Sequence, residues 1–338
     1  MRPLLHPALV NGRSGDPALY VETLFERRAI MLDLGDIAKL SPRKTLRLER
    51  IFVSHAHIDH FIGFDQLLRV MVGRDKEIHL FGPSGFIDHV HHKLLGYRWN
   101  LVDRFVFDLV FVVTEVDSDL ATRTARLRLK KAFAVEAVDE GRLVDAVLYS
   151  EPTFRVTAAV LEHRIPCLGF AIEEAAHVNV WKNRLGDLRL PVGPWLRELK
   201  RAVIENRPDD HLIRIGSRSK PSAERAMALG ELRSAVTVTP GQKIAYVTDA
   251  ADTPANRRAI VRLARNADVL FIEAAFAKAD AALAAERAHL TTTAAGSIAR
   301  EAAARRVEPF HFSPRYSGRE RRLLKEVMAA FAGRQTDA

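Results

Sequence analysis

The chain of 338 residues contains a single cysteine, Cys167. An intrachain disulfide therefore cannot form, which excludes a disulfide-stapled secreted domain and a four-cysteine zinc knuckle and fits a reducing cytoplasm. No run of about 18 apolar residues occurs, so we expect no membrane span. The N-terminal residues also lack the apolar core of a signal peptide.

Acidic residues are fewer than basic ones. There are 42 Asp and Glu against 51 Lys and Arg, a net charge of +9 with a pI near 9.8. A basic surface favours polyanions such as nucleic acid, because phosphate contacts release counterions. The alternative is a basic protein whose charges are scattered and solvated.

Strand-like apolar runs alternate with helical segments along the whole chain, which is typical of an α/β layered protein. No clean linker divides it, so we predict a single domain over residues 1–338. We expect helices over residues 61–72 and 274–286, among others. Residues 97–150 contain several strand-like runs and either form a lid or complete a sheet.

Residues 174–206 differ in character from the rest. They carry six basic side chains around a Gly193-Pro194 turn that is followed by Trp195, a tryptophan of the exposed type. This pattern predicts a projecting basic arm inserted into the domain, able to act as an exosite for a polyanion. An ordinary surface helix and loop is the alternative.

Three imidazoles and a carboxylate lie within six residues directly after the apolar strand 50–54. They are His55, His57, Asp59 and His60. Neutral imidazole and carboxylate are ligands that suit zinc, and also manganese or iron. Residues two apart on an extended loop can converge on one ion, while the adjacent Asp59-His60 pair faces a second ion.

A site with two metal ions needs further ligands, which strand ends elsewhere should supply. His163, Asp249 and His311 each follow an apolar strand-like run. Asp252 stands three residues beyond Asp249 and is its rival as the ligand shared by both ions. We favour Asp249 because it directly follows the strand.

These motifs resemble the metallo-β-lactamase superfamily, whose signature is His-x-His-x-Asp-His. The later segments resemble its ribonuclease Z branch, the tRNA 3′-processing endonucleases, in the same order from about residue 20 to 320. Those segments are Ile30–Gly35, Phe81–Gly85, Leu161–Phe170, Tyr246–Asp249, Phe271–Phe276, His289–Thr291 and His311–Tyr316.

The resemblance implies an α/β fold of the metallo-β-lactamase type, a four-layer αββα sandwich with a projecting arm. It also implies two zinc ions, with manganese or iron as alternative metals. The first ion would be held by His55, His57, His163 and Asp249. The second would be held by Asp59, His60, Asp249 and His311, with Asp249 shared. Asp33 would orient a ligand imidazole by a hydrogen bond.

In such a site two divalent ions lower the pKa of a shared water and give a hydroxide nucleophile near neutral pH. The resemblance implies that Asp59 accepts a proton from that water. It implies that His289, oriented by Glu273, donates a proton to the leaving 3′-oxygen. Arg315 either binds a substrate phosphate or forms a structural salt bridge.

The resemblance further implies a zinc-dependent phosphodiesterase that cleaves tRNA precursors 3′ of the acceptor end. In the family, the arm of one subunit clamps tRNA for the active site of its partner, which implies a cytoplasmic homodimer with no membrane partner. Gly193 and Pro194 resemble the turn of that arm, whose basic residues would contact phosphates without reading bases.

The sequence departs from the family in three places. Leu9–Gly15 stands where the family has Leu-Gly-Thr-Gly, Ile272 and Ala275 replace a histidine and a threonine, and Thr248-Asp249-Ala250 replaces Gly-Asp-Thr. The first departure supports an alternative function, a small-molecule hydrolase acting on an ester, lactone, sulfate or cyclic phosphodiester. A non-catalytic nucleic-acid-binding relative would require a missing ligand, and none is missing.

Overall fold

The computed structural model describes residues 4–24, 27–217 and 220–334. They form two compact units. One consists of the chain up to Glu173 together with the chain from Gln242 onward, and the other is Glu174–Gly241. No helix within the described ranges is long and apolar enough to cross a membrane.

The first unit begins with an eight-stranded sheet in which the strands lie in chain order. Its central strands, β3 to β6, run parallel, and the outer strands pair antiparallel. These strands are β1 Leu5–Leu9, β2 Leu19–Thr23, β3 Ala29–Leu32, β4 Leu48–Phe52, β5 Lys76–Pro83, β6 Leu109–Val116, β7 Ala121–Arg128 and β8 Val135–Arg142. Four helices lie in this part of the chain: α1 Pro42–Thr45, α2 Ile58–Phe61, α3 Phe64–Met71 and α4 Phe86–Leu95.

Three further strands precede the second unit: β9 Val147–Ser150, β10 Phe154–Glu162 and β11 Pro166–Glu174. Residues 97–150 therefore complete the sheets, since they supply β6, β7, β8 and β9.

The second unit has its own small apolar core, built by strands and short helices. These are β12 His177–Val180, α5 Lys182–Asp187, α6 Leu196–Ile204, β13 Leu212–Ser217, β14 Lys220–Ala228, α7 Leu229–Leu232 and β15 Val236–Thr239. The unit contains the segment 174–206 predicted as an arm and continues to Gly241. Trp195 was expected to be exposed, and this was wrong. Its indole is buried in the unit's core and donates to the Pro191 carbonyl at 2.9 Å.

After the second unit, the chain returns with three strands and four helices. They are β16 Lys243–Val247, α8 Pro254–Leu263, β17 Val269–Glu273, α9 Ala281–Glu286, α10 Thr292–Glu301, β18 Val307–Phe310 and α11 Glu320–Phe331. The strands complete a six-stranded sheet in the order β18-β17-β16-β11-β10-β9.

Three apolar cores lie between the layers of the first unit. One packs α3 and α4 against the first sheet, the second joins the two sheets face to face, and the third packs α8, α10 and α11 against the second sheet. β16 shows how both faces of a strand are buried. Ile244 and Tyr246 point into the core between the sheets, while Ala245 and Val247 point into the helical core. Burial on both faces explains the continuous apolar sequence. The unit is thus the αββα sandwich expected from the resemblance.

Two predicted helices are shorter than expected. The helix predicted over residues 61–72 is divided into α2 and α3 at Ile62-Gly63, where the Gly63 amide donates to the Leu34 carbonyl at 2.9 Å and the two segments pass close together. A β-carbon on Gly63 would lie 2.1 Å from the carbonyl oxygen of Gly35, so only glycine fits there. In 274–286 the chain is helical only from Lys278, first as a 3₁₀ turn and then as α9.

Candidate metal centre and active site

The predicted site residues of the first unit converge at the carboxyl ends of strands from both sheets. His55 follows β4, His163 follows β10, Asp249 follows β16 and His311 follows β18. Asp249 and His311 have positive φ values of 33° and 57°, which non-glycine residues seldom adopt. Such backbone strain persists where the surrounding structure fixes it, and it is common at functional sites.

The first cluster consists of His55, His57, His163 and Asp249, whose ligand atoms all lie within 4.8 Å of one another. The Nε2 atoms of His55 and His163 lie 3.6 and 3.4 Å from Asp249 Oδ2. His57 is more exposed, and its Nδ1 lies 2.8 Å from His55 Nε2. The predicted ligands of the first ion are therefore together.

The second cluster consists of Asp59, His60 and His311, and it meets the first at Asp249. Asp59 Oδ2 lies 3.5 Å from His60 Nε2 and 3.3 Å from His311 Nε2. Asp249 Oδ2 is 3.4 Å from His60 Nε2, and Asp249 Oδ1 is 2.9 Å from His311 Nδ1. Asp249 thus contacts both clusters, as the shared ligand must.

Hydrogen bonds on the far side of the rings fix which nitrogen faces the cluster. His163 Nδ1 must donate to the Ala288 carbonyl at 2.8 Å, since a carbonyl only accepts. His60 Nδ1 donates to the buried Asp33 carboxylate at 2.9 Å, as was expected of Asp33. Both rings therefore direct Nε2 toward Asp249, and a metal-ligating histidine is typically held this way.

The donor set fits divalent ions. Two ligand atoms each about 2.1 Å from a tetrahedral zinc ion lie about 3.4 Å apart. The Nε2 atoms of His60 and His163 lie at that separation from Asp249 Oδ2. His60 Nε2 and His311 Nδ1 are also buried, and they face Asp249 oxygens at 3.4 and 2.9 Å without the geometry of a hydrogen bond, which suits a cation bound between them.

The electrostatics of the metal-free cluster agree with this. Burial lowers the pKa of His55 to about 2, with the neighbouring His60 adding to the effect, so its ring is neutral. Burial opposes charge on His60 too, yet the Asp249 and Asp33 carboxylates outweigh it and raise its pKa to about 10. Burial works against ionised Asp59, but its bond to His311 lowers its pKa to about 2. The carboxylates thus already attract positive charge, and a bound metal ion would displace the His60 proton.

His289 and its predicted partner Glu273 lie beside the two clusters, and they form a third group of possible ligands with Asp249 and His311. His289 Nδ1 is 3.0 Å from Glu273 Oε2, and the other Glu273 oxygen accepts from the Ala250 amide at 2.7 Å. Burial disfavours the imidazolium of His289, but the Glu273 carboxylate overcomes this and raises the pKa. A protonated imidazole with a fixed orientation can act as a general acid.

The remaining predicted residues lie outside the clusters. Asp252 forms two hydrogen bonds with Arg257 and joins none of the metal-competent clusters in the described part of the chain, which favours Asp249 as the shared ligand. Arg315 follows His311, is half-exposed and lies 3.8 Å from Asp280. Gly193 and Pro194 lie in the second unit, just before α6.

Several supporting side chains were not assigned a role from the sequence. Ser54 donates to Asp33 at 2.9 Å and lies 3.0 Å from His55 Nδ1, and the Tyr246 hydroxyl also donates to Asp33, at 2.8 Å. Thr248 Oγ1 donates to Asp249 Oδ1 at 2.9 Å. Ser54 and Thr248 stand next to a possible ligand in the sequence and Tyr246 stands three residues before one, and this adjacency was the available signal. Cys167 Sγ lies 3.7 Å from His55 Nδ1, and nothing in the sequence pointed to that contact.

Known proteins resemble this chain in sequence and in fold. The chain is 33% identical to a ribonuclease Z of Deinococcus radiodurans over 336 residues, covering 97% of this chain and 96% of that protein. The chain belongs to the ribonuclease Z family. A ribonuclease Z of Limosilactobacillus fermentum is 30% identical, with 89% of this chain and 83% of that protein covered. The family and the fold make the chain a hydrolytic nuclease.

Other comparisons support the fold. The profile of the beta-lactamase superfamily domain matches residues 217–312. The crystal structure of the short form of human tRNase Z superposes with a TM-score of 0.54 at 21% identity, covering 92% of this chain and 91% of that one. A metallo-beta-lactamase fold protein of Bacillus subtilis gives a TM-score of 0.54 at 16% identity, with 97% and 95% covered. The predicted metallo-β-lactamase fold is thus confirmed.

Proposed function

We propose that this chain is a zinc-dependent endoribonuclease that cleaves tRNA precursors 3′ of the acceptor end. The observation that carries the proposal is the convergence of six metal-competent side chains around a seventh, Asp249, with the His289–Glu273 pair beside them, in a ribonuclease Z family member. The net charge of +9 agrees with a polyanionic substrate.

The residues of the first cluster would hold one zinc ion and those of the second cluster another, with Asp249 shared and with manganese or iron as alternatives. Such a pair of ions supplies a hydroxide nucleophile near neutral pH and offsets charge on a phosphoryl oxygen. Asp33 and the Ala288 carbonyl keep the ligand rings in place. Asp59 would accept the proton of the attacking water, since its carboxylate lies within the second cluster, 3.5 Å from His60 and 3.3 Å from His311.

His289 would donate the proton that the leaving 3′-oxygen requires. Its Nδ1 is engaged by Glu273, so its Nε2 is the nitrogen that carries the transferable proton. Glu273 in turn is held by the Ala250 amide, directly after Asp249. The Glu273 carboxylate therefore contacts both His289 and the backbone next to Asp249. This fixes the position of His289 relative to the metal cluster.

RNA contacts away from the cluster are part of the proposal. The basic segment 174–206, with its Gly193-Pro194 turn, would project as an arm and contact tRNA phosphates. Arg315 follows the ligand His311 and would bind a substrate phosphate near the scissile bond. We also propose a homodimer that works in the cytoplasm, which the lone buried Cys167 fits.

A 3′-extended tRNA transcript incubated with the zinc-loaded protein tests the function. We expect one cut on the 3′ side of the acceptor end and none after chelation of the metal. His289→Ala should lower kcat by about 10²–10⁴-fold while metal content stays unchanged. The matched control is His89→Ala, an exposed histidine on α4, which should cleave like the wild type. A fully metallated protein that leaves this RNA intact while it hydrolyses small esters would refute the tRNA assignment.

A second candidate is a small-molecule hydrolase, which the altered loop Leu9–Gly15 favours. Within it, Arg13 donates to the Pro309 carbonyl at 2.6 Å and pairs with Glu308 at 2.5 Å, so the loop contacts the strand that leads to His311. A panel of chromogenic carboxylic esters, with bis-p-nitrophenyl phosphate as the diester, separates the two candidates. Higher kcat/KM on the esters than on the diester and the RNA would favour the second.

A further inference from the structure

A basic cavity of about 460 Å³ lies beside α10, apart from the metal-competent clusters. Its size falls within the range of ligand sites in proteins. Four cationic side chains line it, supplied by α8, the turn before α9, α10 and the segment after α11. They are Arg257, Lys278, Arg300 and Arg334. We call this cavity the α10 groove.

The charge of the groove is strongly positive. The one acidic side chain in its lining is Asp252, which already accepts two hydrogen bonds from Arg257. Among the described residues, no carboxylate forms an ion pair with Arg300 or Arg334. Thr293 and Ser297 add hydroxyl groups to the same wall. Cations together with hydroxyls are the groups that bind phosphate oxygens in nucleic-acid complexes.

Arg300 is seated by the local backbone. A β-carbon on Gly333 would lie 2.8 Å from Arg300 NH1, so the glycine leaves room for the guanidinium to pack against the chain. Gly333 also has a φ of 73°, a conformation that favours glycine. The guanidinium of Arg300 therefore lines the groove while it packs against the backbone at Gly333. A planar guanidinium held in this way is suited to phosphate recognition.

The groove begins next to the proposed general acid. Thr291 lines it and stands two residues after His289, which places their Cα atoms within about 7 Å. Arg300 lines the other end of the groove. It stands nine residues after Thr291, which is about 13 Å along an α-helix. The backbone of a single strand can lie along a positively charged cleft of this length. In a tRNA precursor the 3′ extension is the single-stranded part adjoining the cleavage point.

We propose that the α10 groove binds backbone phosphates of the single-stranded 3′ extension of the substrate. The proposal rests on the proposed function, because it assigns a binding site to the part of the RNA substrate that is released after cleavage. The groove would contact phosphates and read no bases, so it would serve extensions of any sequence. We therefore expect precursors with longer 3′ extensions to bind more tightly than precursors with one extra nucleotide.

The test compares Arg300→Ala and Arg334→Ala with the wild type on transcripts that carry one or six extra 3′ nucleotides. Each variant should raise KM for the six-nucleotide extension about tenfold, the worth of one charge-assisted hydrogen bond. KM for the one-nucleotide extension, kcat, and hydrolysis of bis-p-nitrophenyl phosphate should stay unchanged. Arg265→Ala is the matched control, because Arg265 is an exposed arginine outside the groove.

A binding measurement separates the groove from the proposed function. Fluorescence anisotropy with a labelled six-nucleotide single strand should show weaker binding to both variants and unchanged binding to the control, with or without metal. A wild type that cleaves no precursor refutes the proposed function, and anisotropy then decides whether the groove binds single strands. If the wild type cleaves and the variants match Arg265→Ala at both extension lengths, the groove inference is wrong. A KM that rises equally for both lengths also overturns it.

Discussion

Asp33→Asn perturbs the buried carboxylate on which the orientation of His60 depends. Asp33 accepts from the Ser54 amide at 2.6 Å, and its other oxygen accepts from Ser54 Oγ, His60 Nδ1 and the Tyr246 hydroxyl at 2.8–2.9 Å. Asparagine has the same shape and tolerates the left-handed backbone, where φ is 56°. Its amide nitrogen, however, cannot accept these three bonds.

The substitution therefore acts on the tautomer of His60. The Ser54 amide keeps the asparagine oxygen on its own side, so the NH₂ group faces His60 Nδ1. The ring nitrogen must then become an acceptor, and the proton of a neutral imidazole moves to Nε2, the atom that faces Asp249 at 3.4 Å. Losing an orienting partner of this kind costs about 10–100-fold in metal affinity, about 1.4–2.7 kcal/mol.

Zinc titration against a chromophoric chelator measures this loss. We expect the wild type to bind two ions and Asp33→Asn to bind one of them about 10–100-fold more weakly. Asp36→Asn is the matched control, since Asp36 lies three residues further on and bonds to Gln66 and Ala38 instead of the cluster. Wild-type affinity for both ions in Asp33→Asn would refute the role assigned to this carboxylate.

Four further substitutions test other parts of the account. Gly63→Ala would force a β-carbon to 2.1 Å from the Gly35 carbonyl oxygen, so we expect about 1–3 kcal/mol less unfolding free energy, and an unchanged thermal midpoint would contradict the contact. Arg13→Ala removes two charge-assisted hydrogen bonds to β18. Chemical denaturation should show about 1–2 kcal/mol less unfolding free energy. An unchanged unfolding free energy would mean that the loop does not stabilise the strand. Asp249→Asn should weaken binding of both ions and abolish cleavage, whereas Asp252→Asn should retain both, and the reverse pattern would exchange their roles.

The first of the metal-competent residues could be predicted because their signal is local. His55, His57, Asp59 and His60 lie within six residues at the end of one strand, and packing alone does not explain that composition. The distant ligands were recognised because loops at strand ends deliver side chains to one edge of a sheet. Residue type and position relative to a strand supply the candidates, and the resemblance to the family assigns them to two ions.

Other features depend on contacts between distant segments, which spacing does not reveal. The break between α2 and α3 lies where Gly63 contacts Leu34 and Gly35, two residues that follow β3. Trp195 is buried because the second unit builds a core of its own around it, although the segment 174–206 carries six basic side chains. The Tyr246 hydroxyl reaches Asp33 from the opposite sheet. In each case the partner comes from another part of the fold.

The central claim is that the seven side chains hold two ions that share Asp249. Anomalous X-ray scattering at the zinc absorption edge, recorded from crystals of the zinc-loaded protein, tests it directly. We predict two peaks, one contacted by His55, His57 and His163 and the other by Asp59, His60 and His311, with Asp249 at both. A single peak, or peaks away from Asp249, would contradict the account.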